Sequence, residues 1–251
     1  SGVRGAIRQR LAPLETDTRR VLSAAAVAGR EFDLPLLEAA LQTDRGTLLD
    51  QLAPALGIEI IRPVAGRTGR YRFAHALIRE TIYEELYPSI RSGLHRRFGT
   101  ILEARHAGDD AYLAELAYHF YEASVDGADA QATLYAERAG RQALRVLAYE
   151  EAAAQFGRAV HLTENSDPID RDHQCRLLLC LGEARNRAGQ GDEAAQAYRR
   201  AASLAKDIGA SALLARAATG LSDIGLAWTE LGRSDDALIA ILEEALADLG
   251  A

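Results

Sequence analysis

Residues 151–159 have the sequence EAAAQFGRA, and residues 193–201 repeat the same pattern as EAAQAYRRA. In each copy a glutamate and an alanine precede an aromatic residue, Phe156 or Tyr198, which is followed by another alanine. The two copies are 42 residues apart, and a weaker copy follows at residues 236–245. A repeat of this length indicates stacked pairs of helices that bury a continuous core.

A glycine lies twelve residues before the first alanine of each copy, at Gly140, Gly182 and Gly225. Small residues let two helices approach closely, and we expect the aromatic residue to fill the gap between neighbouring helices. Tetratricopeptide repeats (TPRs) pack in this way with a usual period of about 34 residues. The longer period here predicts longer helices or loops than in a standard TPR. We therefore predict a TPR-like α-solenoid, rather than a strict TPR, over residues 88–251. Asp192 is predicted to cap one of its helices.

The beginning of the chain predicts short helices rather than repeats. Apolar residues at helical spacing follow Leu14, and Gly29 is expected to end that helix. Asp33 and Asp44 are predicted caps of the next two helices, which end at Leu41 and at Gly57. Phe32, between the first two of these helices, is expected in a short extended link.

The hydrophobic period then changes from helix to strand. Residues 58–61 are a short segment with three β-branched isoleucines. Residues 63–69 have the Pro and Gly content of a loop, and residues 71–73 alternate apolar and polar side chains. A hairpin of this size needs helices to pack against. Helices followed by a hairpin predict a winged-helix-like domain over residues 1–87, which ends in a further helix over residues 75–86.

Charge also divides the chain into two modules. The whole chain carries a formal charge of −7, but residues 1–106 carry +4 and residues 107–251 carry −11. Hydrophobic residues make up 48% and charged residues 26%, which is a globular composition and excludes wholesale disorder. The predicted fold class is therefore mainly α, with one small β-hairpin in the first domain.

Several function classes lack their sequence signals. The only lysine, Lys206, has none of the Gly-x4-Gly-Lys-Ser/Thr context that a P-loop needs, so we expect no nucleotide cofactor in this chain. Its histidines show no metal-type pairing, and no nucleophile elbow is present, so neither a metal site nor an enzyme is predicted. No apolar run approaches the roughly 20 residues that a membrane helix requires. Cys175 and Cys180 are expected to be packing residues of a reduced, cytoplasmic protein.

The order of several motifs resembles one protein family, the STAND-type signalling ATPases related to LuxR-like bacterial transcriptional regulators. The resemblance covers most of the chain and rests on residues 27–33 (VAGREFD), 71–83 (YRFAHALIRETIY), 94–97 (LHRR), 114–120 (AELAYHF) and 147–152 (LAYEEA). In that family an NTPase domain precedes a winged helix and a TPR-like sensor arm. The resemblance implies that this chain is the middle of such a protein, with ADP or ATP held by a P-loop domain elsewhere in the parent protein.

The resemblance also implies a role for His75, at the start of the helix after the hairpin. In related proteins a histidine there contacts the phosphate of the nucleotide and holds the closed state. A helix N-terminus attracts anions, and a histidine can donate to a phosphate oxygen. The alternative is a histidine that caps its own helix or is simply exposed.

Four arginines, Arg62, Arg67, Arg70 and Arg72, fall within eleven residues of the hairpin, and no acid interrupts them in the sequence. They are candidates for a phosphate contact, either with DNA or within the protein, or for a solvated edge that prevents aggregation. The helix before the hairpin is poor in base-reading side chains, so DNA binding is the disfavoured interpretation.

In the helical repeat Trp228 is the candidate partner-groove residue, although a packing role is also open. The predicted function is therefore a regulatory segment that senses a small-molecule inducer or a protein and contacts the NTPase domain of the same chain. A stand-alone TPR interaction scaffold is the first alternative, and a DNA-binding winged helix is the second.

Overall fold

The computed structural model describes residues 2–106, 108–124, 129–166 and 168–229, with the side chains of residues 225–229 excepted. This part of the chain is mainly helical. The helices are α1 (Val3–Leu11), α2 (Thr16–Ala28), α3 (Leu34–Leu41), α4 (Arg45–Gly57), α5 (Ala76–Glu84), α6 (Pro88–Arg105), α7 (Leu113–Ala123), α8 (Ala130–Arg145), α9 (Tyr149–Glu164), α10 (Arg171–Arg187), α11 (Gly191–Asp207) and α12 (Ser211–Thr229). The strands are β1 (Glu31–Asp33), β2 (Ile61–Pro63) and β3 (Arg70–Phe73), and a short 3₁₀ helix spans Asp110–Tyr112.

The first compact unit, which ends at Asp109, is organised around α2. This helix packs against α3, α4, α5 and α6, and five of its alanines and valines are fully buried because they face those neighbours. The fully buried rings of Phe73 and Phe98 and the side chains of Leu48 and Leu52 fill the same core. The mainly helical fold class with a small antiparallel sheet is thus confirmed.

The predicted caps of α3 and α4 are confirmed, whereas the helix predicted over residues 75–86 is the shorter α5. The Asp33 carboxylate accepts a hydrogen bond from the backbone N–H of Leu36 at 2.9 Å, and the Asp44 carboxylate accepts one from Thr47 at 3.0 Å. Each bond satisfies a backbone donor that the first helical turn leaves free. Gly29 ends α2 with a φ of 143°, a region of backbone conformation that suits glycine.

The sheet contains a third strand that the sequence did not predict. β1 pairs with β3 antiparallel, so the sheet order is β1-β3-β2, and Phe32 lies opposite Tyr71 rather than in an isolated link. Its ring also packs against Phe73, with centroids 5.7 Å apart. The second strand begins three residues later than expected because the turn after α4, with Glu59 at a φ of 55°, uses residues 58–60.

The division between the two units follows Asp109, not residue 87 as the predicted domain boundary has it. The reason is α6, which packs against α2 and α3 and buries Phe98 and Leu102 in the first unit. The change of charge near residue 107 marks the observed division more closely than the end of the predicted winged-helix-like domain does.

The second unit is a stack of antiparallel helix pairs. From α7 to α12 each helix packs against the next, and α10 also packs against α12. Helices α8 to α11 contain 16 or 17 residues each, which accounts for the long 42-residue period. Their core is rich in alanine and leucine and lies entirely within the unit. The predicted TPR-like stacking of helix pairs is confirmed for the described part of this unit.

The predicted partnership of glycines and aromatic rings is also confirmed. A Cβ atom at Gly140 would lie 3.0 Å from the ring of Phe156, and one at Gly182 would lie 2.8 Å from the ring of Tyr198. The third predicted copy lies outside the described residues. The prediction that Asp192 caps a helix is wrong: Gln190 is the cap residue of α11, and Asp192 lies in the first turn.

Candidate functional site

The strongest candidate site in the second unit is a groove between α10 and α12. Its volume is about 400 Å³, within the range of small-molecule sites. Leu179, Tyr198 and Ala215 supply its apolar surface. Charged and polar side chains on the facing surfaces of the two helices complete its lining: Glu183, Asn186 and Arg187 on α10, and Arg216, Thr219 and Asp223 on α12.

Tyr198 shapes this groove from below, because its ring is inserted between α10 and α12. A Cβ atom at Gly220 would lie 2.3 Å from the ring, and one at Gly182 would lie 2.8 Å from it. Only glycine is small enough at both positions. Burial, and then the nearby carboxylates of Glu183 and Asp223, raise the pKa of Tyr198 to about 12, so its hydroxyl remains protonated at neutral pH. The sequence pattern indicated Gly182, but it missed Gly220.

Ion pairs fix part of the groove lining. Arg187 pairs with Glu183 one helical turn away at 2.8 Å, and its guanidinium also lies 5.8 Å from the ring centroid of Tyr149. Arg216 and Asp223 make no ion pair with any described residue. Within the described part of the chain, the groove therefore presents one unpaired cation and one unpaired anion.

A second polar cluster links α8 and α10. His173 Nε2 lies 2.8 Å from Glu137 Oε2, and Arg141 pairs with the same carboxylate at 2.6 Å. Burial alone would raise the pKa of Glu137, but the hydrogen bonds from His173 and Arg141 outweigh it and lower the pKa below 4.5. This cluster joins two successive helix pairs, which makes it a structural contact.

Both cysteines have the environment of packing residues. Cys175 is buried, and its thiol donates a weak hydrogen bond to the backbone oxygen of Ala201. Burial, and then the carboxylate of Asp172, raise the pKa of the Cys175 thiol to about 11. Burial also raises the pKa of Cys180. A reactive cysteine needs the opposite shift.

The candidate nucleotide contact His75 lies at the N-cap of α5 and is exposed. Its side chain makes no hydrogen bond to the start of its own helix, so it does not act as a side-chain cap. The imidazole is therefore available to solvent at a helix N-terminus, where the backbone N–H groups favour anions. The nucleotide role itself stays a prediction.

The four hairpin arginines do not form one uniform positive patch. Arg62, Arg70 and Arg72 lie on the outer face of the sheet, and Arg67 lies in the turn between the strands. Arg70 pairs with Glu31 of β1 at 3.2 Å, and Arg62 pairs with Glu59 at 3.0 Å. Strand β1, which the sequence pattern did not indicate, thus brings a carboxylate next to the arginines.

The candidate groove residue Trp228 falls in α12, but its side chain lies outside the described part of the chain. Among the described residues, no group of three or more His, Cys, Asp or Glu side chains lies close enough to hold a metal ion. No helix described by the structure combines the length and apolar character that a membrane span needs.

Comparison with known proteins gives a short match and a distant structural likeness. No family model matches the sequence. An uncharacterized protein of Rhizobium meliloti (strain 1021) is 42% identical over 97 residues, which are 38% of this chain and 9% of that protein. A STAND protein with a tetratricopeptide repeat sensor from Pyrococcus horikoshii has a TM-score of 0.34 and 13% identity, covering 99% of this chain and 40% of the other. The chain thus spans less than a tenth of its curated relative.

Proposed function

We propose that this chain is a non-catalytic regulatory segment of a longer signalling protein, in which the helix-pair unit binds a ligand or a protein. The observation that carries the proposal is the groove between α10 and α12, because it combines an apolar floor with charged side chains on both helices, of which Arg216 and Asp223 on α12 make no ion pair with any described residue. Small-molecule sites combine apolar surface with polar groups that fix the orientation of the ligand. A molecule that contacts two neighbouring helix pairs stabilises the arrangement of the pairs to which it binds best. A stack of helix pairs can act as a sensor in this way.

The first unit is proposed to be a winged-helix-like element that contacts the NTPase domain of the parent protein. The support is the motif order at residues 27–33 and 71–83, together with an exposed His75 at the N-terminus of α5. In this role His75 donates to a phosphate of bound ADP and stabilises the inactive state. ADP or ATP is then held by the NTPase domain, and the present chain contributes a single contact. A role in bacterial transcription regulation in the cytoplasm follows from the same resemblance.

Regulation in this scheme is a shift between two populations. The ligand of the helix-pair unit must bind the open state of the parent protein more tightly than the closed state, and the ratio of the two affinities sets the size of the switch. The contact from His75 to the nucleotide stabilises the closed state, and the ligand shifts the population toward the open state.

The proposal is tested on the full-length parent protein. The polypeptide encoded before residue 1 is expected to contain a Gly-x4-Gly-Lys-Ser/Thr motif. His75→Ala is expected to weaken ADP binding about tenfold and to raise the basal activity, because one charge-assisted contact to phosphate is lost. His161→Ala, which removes an exposed histidine from α9, serves as the matched control.

Unchanged ADP affinity and basal activity in His75→Ala would exclude the nucleotide role. A parent protein without a P-loop would favour the alternative, a stand-alone interaction scaffold built from helix pairs. DNA binding through the first unit is disfavoured by the ion pairs that Arg62 and Arg70 make with Glu59 and Glu31.

A further inference from the structure

The groove between α10 and α12 has a charge arrangement that selects a particular class of ligand. Its four ionised side chains are two arginines and two carboxylates, so the groove as a whole is neutral. Glu183 and Arg187 neutralise each other at 2.8 Å. The remaining pair, Arg216 and Asp223, is on α12 and has no partner among the described residues. A bound molecule therefore meets one positive and one negative group that no described side chain neutralises.

The spacing of these two groups sets the length of the ligand that can contact both. Arg216 and Asp223 are seven residues apart, which places them on the same face of α12 with about 10 Å between their Cα atoms along the axis. They are too far apart on the helix to pair as neighbours one turn apart do. A linear molecule with opposite charges at its two ends matches this spacing.

Uncharged hydrogen-bonding groups lie alongside these charges. The side-chain amide of Asn186 and the hydroxyl of Tyr198 line the groove and make no hydrogen bond with any described residue. An amide both donates and accepts, and a protonated tyrosine hydroxyl does the same. Such groups suit the N–H and C=O groups of a peptide bond. Leu179 and Ala215 offer apolar surface to small side chains.

We propose that the groove between α10 and α12 binds a small linear zwitterion with the chemistry of an unblocked peptide of about three residues, whose carboxylate meets Arg216 and whose ammonium meets Asp223. An extended chain of three residues spans about 10 Å, which matches the spacing of the two charged groups. The volume of about 400 Å³ accommodates a molecule of this size but not a folded partner. This inference rests on the proposed sensing function and names its ligand class.

The test measures binding of alanine peptides of one to five residues to the 251-residue chain by isothermal titration calorimetry. We expect the affinity to be highest for three or four residues. N-acetylation or C-amidation of the best peptide is expected to weaken binding about tenfold each, because each removes one charge-assisted contact.

Two variants assign the ends of the ligand. In Arg216→Gln the unblocked and the C-amidated peptide should bind equally, while N-acetylation still weakens binding. In Asp223→Asn the unblocked and the N-acetylated peptide should bind equally, while amidation still weakens binding. Arg171→Gln, which removes an exposed arginine from the start of α10 outside the groove, should bind all peptides as the wild type does.

The inference is overturned if no peptide binds at millimolar concentration, if blocking the two ends has no effect, or if affinity rises with length whatever the state of the ends. The last result would indicate a segment of a larger protein as the partner. These outcomes are independent of the nucleotide test. If His75→Ala leaves ADP affinity and basal activity unchanged while peptide binding depends on the state of the peptide ends, the NTPase contact is refuted and the ligand assignment stands.

Discussion

The glycine at position 220 shows how a single residue determines helix packing in the second unit. A Cβ atom there would lie 2.3 Å from Tyr198 Cζ, and the ring has little room to move because the Cβ position of Gly182 is already 2.8 Å from it. We expect Gly220→Ala to lower the free energy of unfolding by about 1–3 kcal/mol through overpacking. Urea unfolding followed by circular dichroism measures this change.

Gly157 is the matched control, because it lies within α9 and no atom lies within 4 Å of its Cβ position. Gly157→Ala is expected to stabilise the protein by about 0.5–1 kcal/mol, since alanine loses less backbone entropy in a helix. Equal stability of the two variants would contradict the insertion of Tyr198 between α10 and α12.

Glu137 gives the second unit a dependence on pH. Its folded-state pKa lies below the 4.5 of a free glutamate, because the hydrogen bonds from His173 and Arg141 outweigh the opposing effect of burial. A depressed carboxyl pKa stabilises the folded state above pH 4.5, and this stabilisation is lost as the pH falls through the folded-state pKa. We expect Glu137→Gln to reduce stability at pH 7 and to flatten its fall below pH 4.5. Thermal unfolding between pH 7 and pH 3 tests this, and parallel curves for both proteins would refute it.

At the scale of single elements, β1 changes the interpretation of the arginine-rich hairpin. Glu31 on β1 lies opposite Arg72 and pairs with Arg70, while Glu59 pairs with Arg62. We expect no mobility shift of a duplex DNA by the wild-type chain, even at low salt. The double variant Glu31→Gln, Glu59→Gln should acquire weak, salt-sensitive DNA binding, because two arginines are freed for phosphate.

Glu80→Gln provides the comparison, since this exposed glutamate lies on α5 of the same unit and outside the sheet. It changes the net charge in the same direction as each substitution on the hairpin side. Strong DNA binding by the wild type would restore the DNA-reading interpretation. Equal binding by Glu31→Gln alone and by Glu80→Gln, which change the net charge by the same amount, would show that total charge matters and the sheet face does not.

The same elements show which features local sequence can predict. The caps Asp33 and Asp44 were predictable because a cap depends on residues three positions apart. β1 was not predictable, since three residues with one apolar side chain carry no alternation, and its partner β3 lies about forty residues later. The groove was likewise beyond prediction, because it depends on which faces of α10 and α12 meet. The repeat pattern located Tyr198 and Gly182 but gave no signal for Gly220.

At the scale of the whole molecule, the two compact units each contain their own core. The buried cluster of the second unit draws on residues 136–224 alone, and the first unit is organised around α2. We therefore expect the fragment that begins at Asp110 to fold by itself, with a helical circular dichroism spectrum and a cooperative thermal transition. A fragment that begins at residue 88 would carry α6 without α2 and α3, and should expose Phe98 and aggregate.

A fragment from Asp110 that melts without a cooperative transition would refute the assignment of two self-sufficient cores. Better behaviour of the fragment from residue 88 would support the predicted boundary at residue 87 instead. Analytical gel filtration of both fragments separates these outcomes.

The spacing between each glycine and its aromatic partner constrains how this protein can change in length. Phe156 follows Gly140, and Tyr198 follows Gly182, by the same sixteen residues, and each ring must reach its own gap. A deletion of a few residues between a glycine and its aromatic partner would move the ring away from its gap. A duplication of 42 residues would leave every ring in register and would add a further interhelical surface. Insertion of a complete helix pair therefore lengthens the stack without disturbing these spacings, and it supplies new surface on which another specificity can arise.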